Sequence, residues 1–545
     1  MKPKEVPREQ LRLTRCREAC PAGIDVPRYI RRIREGKFDE ALAVIRERIP
    51  FPSVCGHACF SPCEAGCANR QFGDPIAIRA LKRAAAEKGG DLWRRNLKLA
   101  PKTGKRVAVV GSGPSGLTAA YYLATLGHAV TVLEALEEPG GMLRFGIPKY
   151  RLPREVLDAE IEQIRQIGVV IETRRPVESV DQLFQQGFDA VYLACGAQKG
   201  AALGIPGDDL PGVIDGISFL RKVNRAQKLA LNGTVAVIGG GNTAVDAARC
   251  AVRLGAREIF VVYRRSQAEM TAYQEEVTSA VFEGVTFLFL AAPVRVEPKS
   301  SRLELSMLRM ELGKKDAGGR PAPIPVPNSE FRMTVDTVIA AVGQTPDLAE
   351  SIGVKAGRDT KRIAVDPDTL STGTNGLFAG GDLVSGPASI IEAIAHGRKA
   401  ASSIDKFLGG PGQIDQPLAP VEESVVLEDG AAQQERISIP CIPLSDHPSS
   451  FRPIEIGLTK QMAMKEAARC RNCDARLYEV EVHTEGCKEC GYCIEVCGLN
   501  VFEAGQKFNN RGYRPVFASR SKQCVGCMAC FYACPDFSIE VVEKK

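Results

Sequence analysis

At 545 residues the chain is too long for a single hydrophobic core and should divide into three or four domains. Its composition is ordinarily globular, 44% hydrophobic and 25% charged, with 6% aromatics and 52 glycines, a level that suits phosphate-binding turns. The net charge of +6 is mild, and the cysteine chemistry described below removes any nucleic-acid signal from it.

The opening MKPKEVPREQLRLTR lacks the apolar core of a signal peptide, and no run of about 18 apolar residues occurs. No membrane span is expected, and the expected location is the cytoplasm. Nineteen cysteines in a reducing compartment point to metal binding rather than disulfides. Sixteen of them fall in three tight groups, enough for four clusters of four ligands, while Cys195, Cys250 and Cys441 stand alone.

Residues 1 to about 100 combine Cys-rich turns with helical patterns such as PRYIRRIREGKFDEALAVIRERI, whose apolar residues recur at three and four positions. This predicts a small helical domain. From Arg106 short apolar strands alternate with helices, VAVVG, GLTAAYYLATLG and AVTVLEA, a βαβ unit; a second unit begins at VAVIGG and runs to IFVVYRR.

The first unit carries Gly111-Ser-Gly113-Pro114-Ser115-Gly116 between strand and helix, with Glu134 ending the next strand. Gly111 makes the tight turn, Gly113 lets the backbone approach a pyrophosphate, and Gly116 permits close helix packing. The helix N-terminus faces the negative charge, and Glu134 can accept hydrogen bonds from a ribose. The second unit carries Gly239-Gly-Gly241-Asn242-Thr243-Ala244, with alanine in the third glycine's place. Its second strand ends in Tyr263-Arg264-Arg265 with no acidic residue. A carboxylate there would favour the 2′-hydroxyl of NADH, whereas guanidinium groups favour the 2′-phosphate, so NADPH is expected over NADH, with NADH left open. Farther on, Gly380-Gly381-Asp382 precedes the helix ASIIEAIAHGRKAA. Asp382 can hold a flavin ribityl hydroxyl, and the helix N-terminus near Ser389 offers partial positive charge to a reduced flavin.

Residues 409 to 455 are rich in Pro, Ser and Gln without periodicity and are expected to drape over the surface as a linker. The tail then carries Cys487-x2-Cys490-x2-Cys493-x3-Cys497 and Cys524-x2-Cys527-x2-Cys530-x3-Cys534-Pro535. This is the double run of a bacterial-type two-cluster ferredoxin, in which the fourth cysteine of each run serves the other cluster. The expected sets are Cys487, Cys490, Cys493 with Cys534, and Cys524, Cys527, Cys530 with Cys497. Zinc ligands come instead as paired knuckles. Each oxidised cluster of this kind adds roughly two negative charges, which is why the basic balance carries no inference.

The stretches GSGPSGL, Gly140-Gly141-Met142-Leu-Arg-Phe-Gly-Ile-Pro148, GGGNTAVDAARCAVRLGA with YRR, and AGGDLVSGPASIIEAIAHGR together resemble the small subunit of NADPH-dependent glutamate synthase over residues 10 to 408. The resemblance implies a multidomain α/β fold: a helical N-terminal 4Fe-4S domain (1–100), then an FAD-binding Rossmann-like domain (104–212 and 335–408). A nested NAD(P)H-binding domain (213–334), a linker (409–465) and a two-cluster ferredoxin domain (466–545) complete it. It also implies that Gly141 and Met142 touch FAD and that the nicotinamide stacks on the isoalloxazine for hydride transfer, which needs no catalytic acid or base. Cys195 and Cys250, single and far apart in sequence, are read as core residues rather than a redox disulfide.

Cys16-x3-Cys20-Pro21 and Cys55-x3-Cys59-x3-Cys63-x3-Cys67 resemble the two-cluster domain of the same family and of dihydropyrimidine dehydrogenase. That family opens with a further C-x2-C in an EAxRCLxC stretch, absent here before Cys16, whereas EAARCRNC occurs at 466–473. One expectation is that Cys470 and Cys473 fold back to join Cys16 and Cys67, leaving Cys20, Cys59, Cys63 and a fourth ligand such as Cys55 for the second cluster. The rival reading keeps Cys470 and Cys473 beside the tail as spare thiols. Residues 480 to 545, with NxxGYxPV and CPDxxIEV motifs, resemble the ferredoxin-like subunit of 2-oxoacid:ferredoxin oxidoreductases.

The resemblances imply a subunit of a hetero-oligomer that moves electrons between NADP(H) and thiamine diphosphate-dependent 2-oxoacid oxidoreductase subunits or ferredoxin, using FAD and four 4Fe-4S clusters. The small subunit of a glutamate synthase-like or electron-bifurcating complex is the alternative, and a non-enzymatic wiring module the weakest reading.

Overall fold

The computed structural model describes residues 14–543 apart from 72, 228, 230, 317–318, 347–361, 421–434, 447–449, 474–477, 498, 525 and 527. Cys527, one of the expected ligands, therefore lies outside the described residues.

The N-terminal domain is a cluster of helices, chiefly Val26–Arg34, Phe38–Arg46, Pro52–Ala58 and Ile78–Lys88. Asp25 caps the first, accepting the Arg28 amide at 3.4 Å, and Pro27 occupies its first turn, where a missing N–H costs nothing. Tyr29, Ile30, Ile33, Val44, Ile45 and Val54 meet in a core that also contains Cys20, Cys55, Cys59 and Cys63. A Cβ on Gly56 would lie 2.7 Å from the Arg83 Cα, so only glycine lets the Pro52–Ala58 and Ile78–Lys88 helices cross this closely.

Two parallel five-stranded sheets follow. The first runs Leu377–Ala379, Ala190–Leu193, Arg106–Val110, Ala129–Leu133, Val170–Glu172. The second runs Val213–Asp215, Thr337–Ala340, Thr234–Ile238, Glu258–Tyr263, Thr286–Phe289. The central strands are buried on both faces, which is why they read as unbroken Val/Ile/Ala runs. Between strands Thr286–Phe289 and Thr337–Ala340 the chain inserts an antiparallel sheet, in which Ala291–Lys299, Pro321–Pro325 and Phe331–Val335 all pair with Arg302–Lys315. One expected boundary moves. Thr337–Ala340 pairs in parallel with Thr234–Ile238, so residues 337–340 belong to the second sheet and not to the flavin unit.

The segment expected as linker is fastened at named points. Ile454 donates to the Tyr150 carbonyl at 3.2 Å, and Arg79 forms a two-point ion pair with Glu455 at 2.8 and 2.6 Å. The Lys460–Ala468 helix, capped by Thr459, packs against the Val26–Arg34 and Ile78–Lys88 helices. Glu466, wholly buried, accepts the Ala77 amide at 2.8 Å and the Arg469 guanidinium at 2.7 Å, while Arg469 reaches the Asp74 carbonyl at 2.9 Å. Residues 466–473 thus sit with the N-terminal helices, not with the tail to which the sequence boundary at 466 assigned them. The tail is a small unit of two two-stranded ribbons, Tyr478–Val482 with Ile539–Glu543 and Glu503–Ala504 with Val516–Phe517, and two short helices, Tyr492–Val496 and Ala529–Ala533.

Among the described residues no helix is long and apolar enough to cross a membrane.

Candidate functional site

Both glycine fingerprints open into one cleft of about 1300 Å³, larger than the ~300–1,000 Å³ of a single small-ligand pocket. Gly111, Gly113, Pro114, Ser115, Glu134, Gly141, Met142, Gly381, Asp382 and Ser389 line one part of it. Gly239, Gly241, Asn242, Thr243, Arg264 and Arg265 line the other. The structure thus brings together the expected residues of both dinucleotide sites, apart from Gly116, which lies beneath the turn.

The flavin side is a cradle that side chains would fill. Gly111 has φ +103°, and a Cβ there would lie 2.6 Å from the Ala194 carbonyl oxygen. A Cβ on Gly116 would collide with the Gly111 carbonyl, so the helix can press against the turn only without one. Gly113 has nothing within 4 Å of its missing Cβ among the described residues, leaving its backbone open to the cleft at the N-terminus of Pro114–Thr125. Glu134 is buried, accepting the Ser112 amide at 3.0 Å, the Ser112 hydroxyl and the Leu136 amide at 2.9 Å. It therefore braces the turn from the cleft wall. Ser115 shares a 2.7 Å hydrogen bond with the Tyr192 hydroxyl, a contact that fixes it to the sheet.

Asp382 carries a carboxyl that burial pushes up to about 6, partly offset by the Ala388 amide at 3.3 Å. Such a group is under-solvated until a donor such as a ribityl hydroxyl reaches it. His396, which sequence reasoning missed, accepts the Gly381 amide on Nδ1 at 3.0 Å. That bond requires a neutral ring protonated on Nε2, and burial, followed by Lys399, holds its pKa below the ordinary value. Its single sequence signal was its place one turn inside the helix that follows the Gly-Gly-Asp turn. The Ser389 hydroxyl and Glu392 form a capping box on Ile390–Phe407, with Oγ donating to Glu392 at 2.6 Å, so a carboxylate shares the helix N-terminus that was expected to offer partial positive charge.

On the nicotinamide side, Gly239 has φ +149° and packs its Cα face on the Ala341 carbonyl, while the Tyr263 ring covers Gly240. Asn242 accepts the Tyr273 amide at 2.9 Å, and Thr243 accepts the Gln344 side-chain amide at 3.2 Å. The two arginines diverge. Arg265 is only 3% exposed and gives one donor to Asp316 at 2.7 Å and another to the Pro321 carbonyl at 2.8 Å. It still borders the cleft, and it tethers Asp316 and Pro321 beside Arg320, which lines the cleft together with exposed Arg264.

Cys195 packs against the core of the flavin-side sheet and also lines the cleft, its thiol pushed up to about 12 by burial and then by Glu134. Cys250 is fully buried. Neither Cys195 nor Cys250 forms a disulfide among the described residues.

The thiols gather in sets. Burial first, then Cys470, Cys67, Cys63 and Cys473, push the Cys16 thiol up, which places the 470–473 pair beside Cys16 and Cys67. Cys55 senses Cys59 and Cys20, and Cys63 senses Cys59 and Cys20. In the tail a small cavity is lined by Cys487, Cys490, Cys493 and Cys534, the crosswise set, and burial followed by Cys490 and Cys487 pushes Cys493 up to about 11. Backbone amides point at sulfur: Ser538 on Cys534 at 3.2 Å, Gly526 on Cys524 at 3.3 Å, Val501 on Cys497 at 3.5 Å. Such N–H···S bonds are among the features that set iron–sulfur potentials. Among the described residues no three or more His, Cys, Asp or Glu side chains converge tightly enough for a single metal ion. Buried all-thiol sets fit 4Fe-4S clusters, whose thiolates sit on four corners and not around one atom.

Residues 84–150 and 105–397 match the family described as pyridine nucleotide-disulphide oxidoreductase. The chain belongs to that family. Residues 10–91 match the dihydropyrimidine dehydrogenase domain II 4Fe-4S cluster, and residues 486–537 a 4Fe-4S dicluster domain. The chain is 40% identical over 84% of its length to the NADP(+)-dependent formate dehydrogenase subunit beta of Moorella thermoacetica, covering 70% of that protein. It is 36% identical over 84% of its length to the NADPH-Fe(3+) oxidoreductase subunit beta of Geobacter sulfurreducens, covering 75% of it. To the glutamate synthase [NADPH] small chain of Halomonas elongata it is 32% identical over 72% of its length, covering 88% of that chain, in line with the sequence resemblance. The chain is thus an oxidoreductase that binds FAD and a nicotinamide dinucleotide, with a 4Fe-4S domain toward each end.

Proposed function

We propose that the chain is the NADPH-linked electron-transfer subunit of a hetero-oligomeric, cytoplasmic oxidoreductase, with four 4Fe-4S clusters, two in the helical domain and two in the tail. The observation that carries this reading is the single cleft lined by both glycine fingerprints. When bound, FAD would exchange the hydride of NADPH for single electrons, and the clusters would carry those electrons one at a time.

The chain's own residues hold and orient. The Gly111–Gly116 turn and Gly141 accept a pyrophosphate without side-chain obstruction, Glu134 and Asp382 present acceptors to sugar and ribityl hydroxyls, and His396 fixes the turn carrying Asp382. Gly239–Thr243 receive the second dinucleotide, and Arg264 with Arg320 supply charge for a 2′-phosphate. Hydride transfer requires positioning rather than a proton donor, so no acid or base residue is assigned.

The partner we propose is a thiamine diphosphate-dependent 2-oxoacid oxidoreductase, supported by the tail's NxxGYxPV and CPDxxIEV motifs. A formate dehydrogenase-type partner is the second reading, favoured by the similarity to the Moorella thermoacetica subunit. Anaerobic purification with native partners, their identification by mass spectrometry, and assays of NADP and NAD reduction with CoA and a panel of 2-oxoacids, or with formate, decide between them. Reduction by one 2-oxoacid with thiamine-binding partners is the expected result; formate-driven reduction overturns the partner and leaves the flavoprotein reading standing.

A further inference from the structure

Lys82 lies on the Ile78–Lys88 helix and is only 2% exposed. Among the described residues it forms no salt bridge and no side-chain hydrogen bond to a carboxylate. A buried ammonium without a counter-charge costs several kcal/mol, so such a residue requires a negative body at hand. Its electrostatic neighbours include the thiols of Cys59, Cys55, Cys63 and Cys20, and its helix packs directly on the Pro52–Ala58 helix that carries Cys55. The same four cysteines are buried in one core. The contact is fixed by backbone: Gly56, next to Cys55, sits so close to Arg83, next to Lys82, that a Cβ would lie 2.7 Å from the Arg83 Cα.

We propose that Lys82 is the internal counter-cation of the 4Fe-4S cluster held by Cys20, Cys55, Cys59 and Cys63, and that its fixed charge raises that cluster's reduction potential. An oxidised cluster with four thiolates carries roughly two negative charges, and one-electron reduction adds a third. A cation in a low-dielectric core stabilises the more negative, reduced form over the oxidised one, and its removal shifts the couple downward. Lys82 touches no substrate and is a positioning residue for electron flow.

The inference rests on the assignment of these four thiols to one cluster, and iron and sulfide counts with Mössbauer spectra of the purified protein test that assignment separately. The test of Lys82 is an anaerobic EPR redox titration of the full chain as Lys82→Gln and Lys82→Arg. In iron-replete Lys82→Gln, one N-terminal cluster should show its oxidised-to-reduced ratio at the native midpoint rise about tenfold, a fall of about 59 mV for a one-electron couple. Lys82→Arg should stay near the native value. If Lys82→Gln loses iron while Lys82→Arg retains it, the counter-charge role also stands. An unchanged midpoint in iron-replete Lys82→Gln, or iron lost equally from both variants, overturns it.

Discussion

The Arg151 guanidinium meets the Asp246 carboxylate at 2.7 Å, joining the loop after the flavin-side Met142–Phe145 turn to the helix that opens the nicotinamide site. Arg151 also pairs with Glu276 at 3.0 Å, and Arg249 and Arg253 cover the Tyr150 ring while gripping Glu283. Burial alone would raise Glu283, but hydrogen bonds from Arg253 and Arg249 hold it at about 2. The two nucleotide units are thus held in one relative orientation by buried charge.

Removing one partner of that contact strands the other. Arg151→Met should lower stability by about 3–5 kcal/mol and reduce NADPH-to-dye turnover. Arg151→Met combined with Asp246→Leu should recover most of the stability but not the turnover. Calorimetry and steady-state kinetics on the same preparations check both halves.

Dinucleotide selectivity should follow the exposed guanidiniums. Arg264→Ala and Arg320→Ala are each expected to weaken NADPH binding by about 10- to 100-fold, the worth of a charged hydrogen bond, with NADH affected little. Arg265→Ala should lower NADPH affinity and thermal stability together, because it releases Asp316 and the Pro321 carbonyl beside Arg320. Titration calorimetry with both dinucleotides and with 2′-AMP separates these outcomes.

Asp382 gives a pH signature. Its folded pKa of about 6 lies above the ordinary 3.8, so its ionisation opposes folding of the FAD-free protein above pH 6, and the cost vanishes as pH falls toward 4. Asp382→Asn should therefore stabilise the FAD-free protein at pH 7.5 by on the order of 2–3 kcal/mol, and by only about 1 kcal/mol at pH 4.5, while weakening FAD retention. Melting curves at the two pH values and flavin-release rates measure it. His396 works in the opposite sense: its lowered pKa means stability present above about pH 6.5 that declines as pH falls and the ring charges.

Cys470→Ser should reduce iron content by the equivalent of one cluster and remove one N-terminal EPR signal, since Cys470 lies beside Cys16 and Cys67. Full iron with unchanged spectra would return Cys470 to the status of a spare thiol.

The fingerprints were legible because glycine is demanded by backbone clashes that nothing else relieves, as at Gly111 and Gly116. The crosswise tail set was legible because it follows from spacing alone. The ion pair of Arg265 was not legible because its partner, Asp316, arrives from an inserted antiparallel sheet that no local pattern ties to strand Glu258–Tyr263. The unit boundaries were blurred for a similar reason: strand Thr337–Ala340 is as apolar as the flavin-side strands, and only pairing reveals its sheet. Lys82 was invisible, since one lysine in IRALKRAAAEK reads as an amphipathic helix's solvent face.

The docking of Lys460–Ala468 onto the first helices has a consequence for biogenesis. The N-terminal helices cannot complete their thiol set until both nucleotide units have been synthesised, because Glu466, Arg469 and the Cys470–Cys473 pair follow those units in the chain. At about 5–20 residues per second, the ribosome takes on the order of half a minute or more to supply them. Completion of this thiol set therefore reports that the chain has been read through residue 473, and a chain that stops earlier leaves the set open.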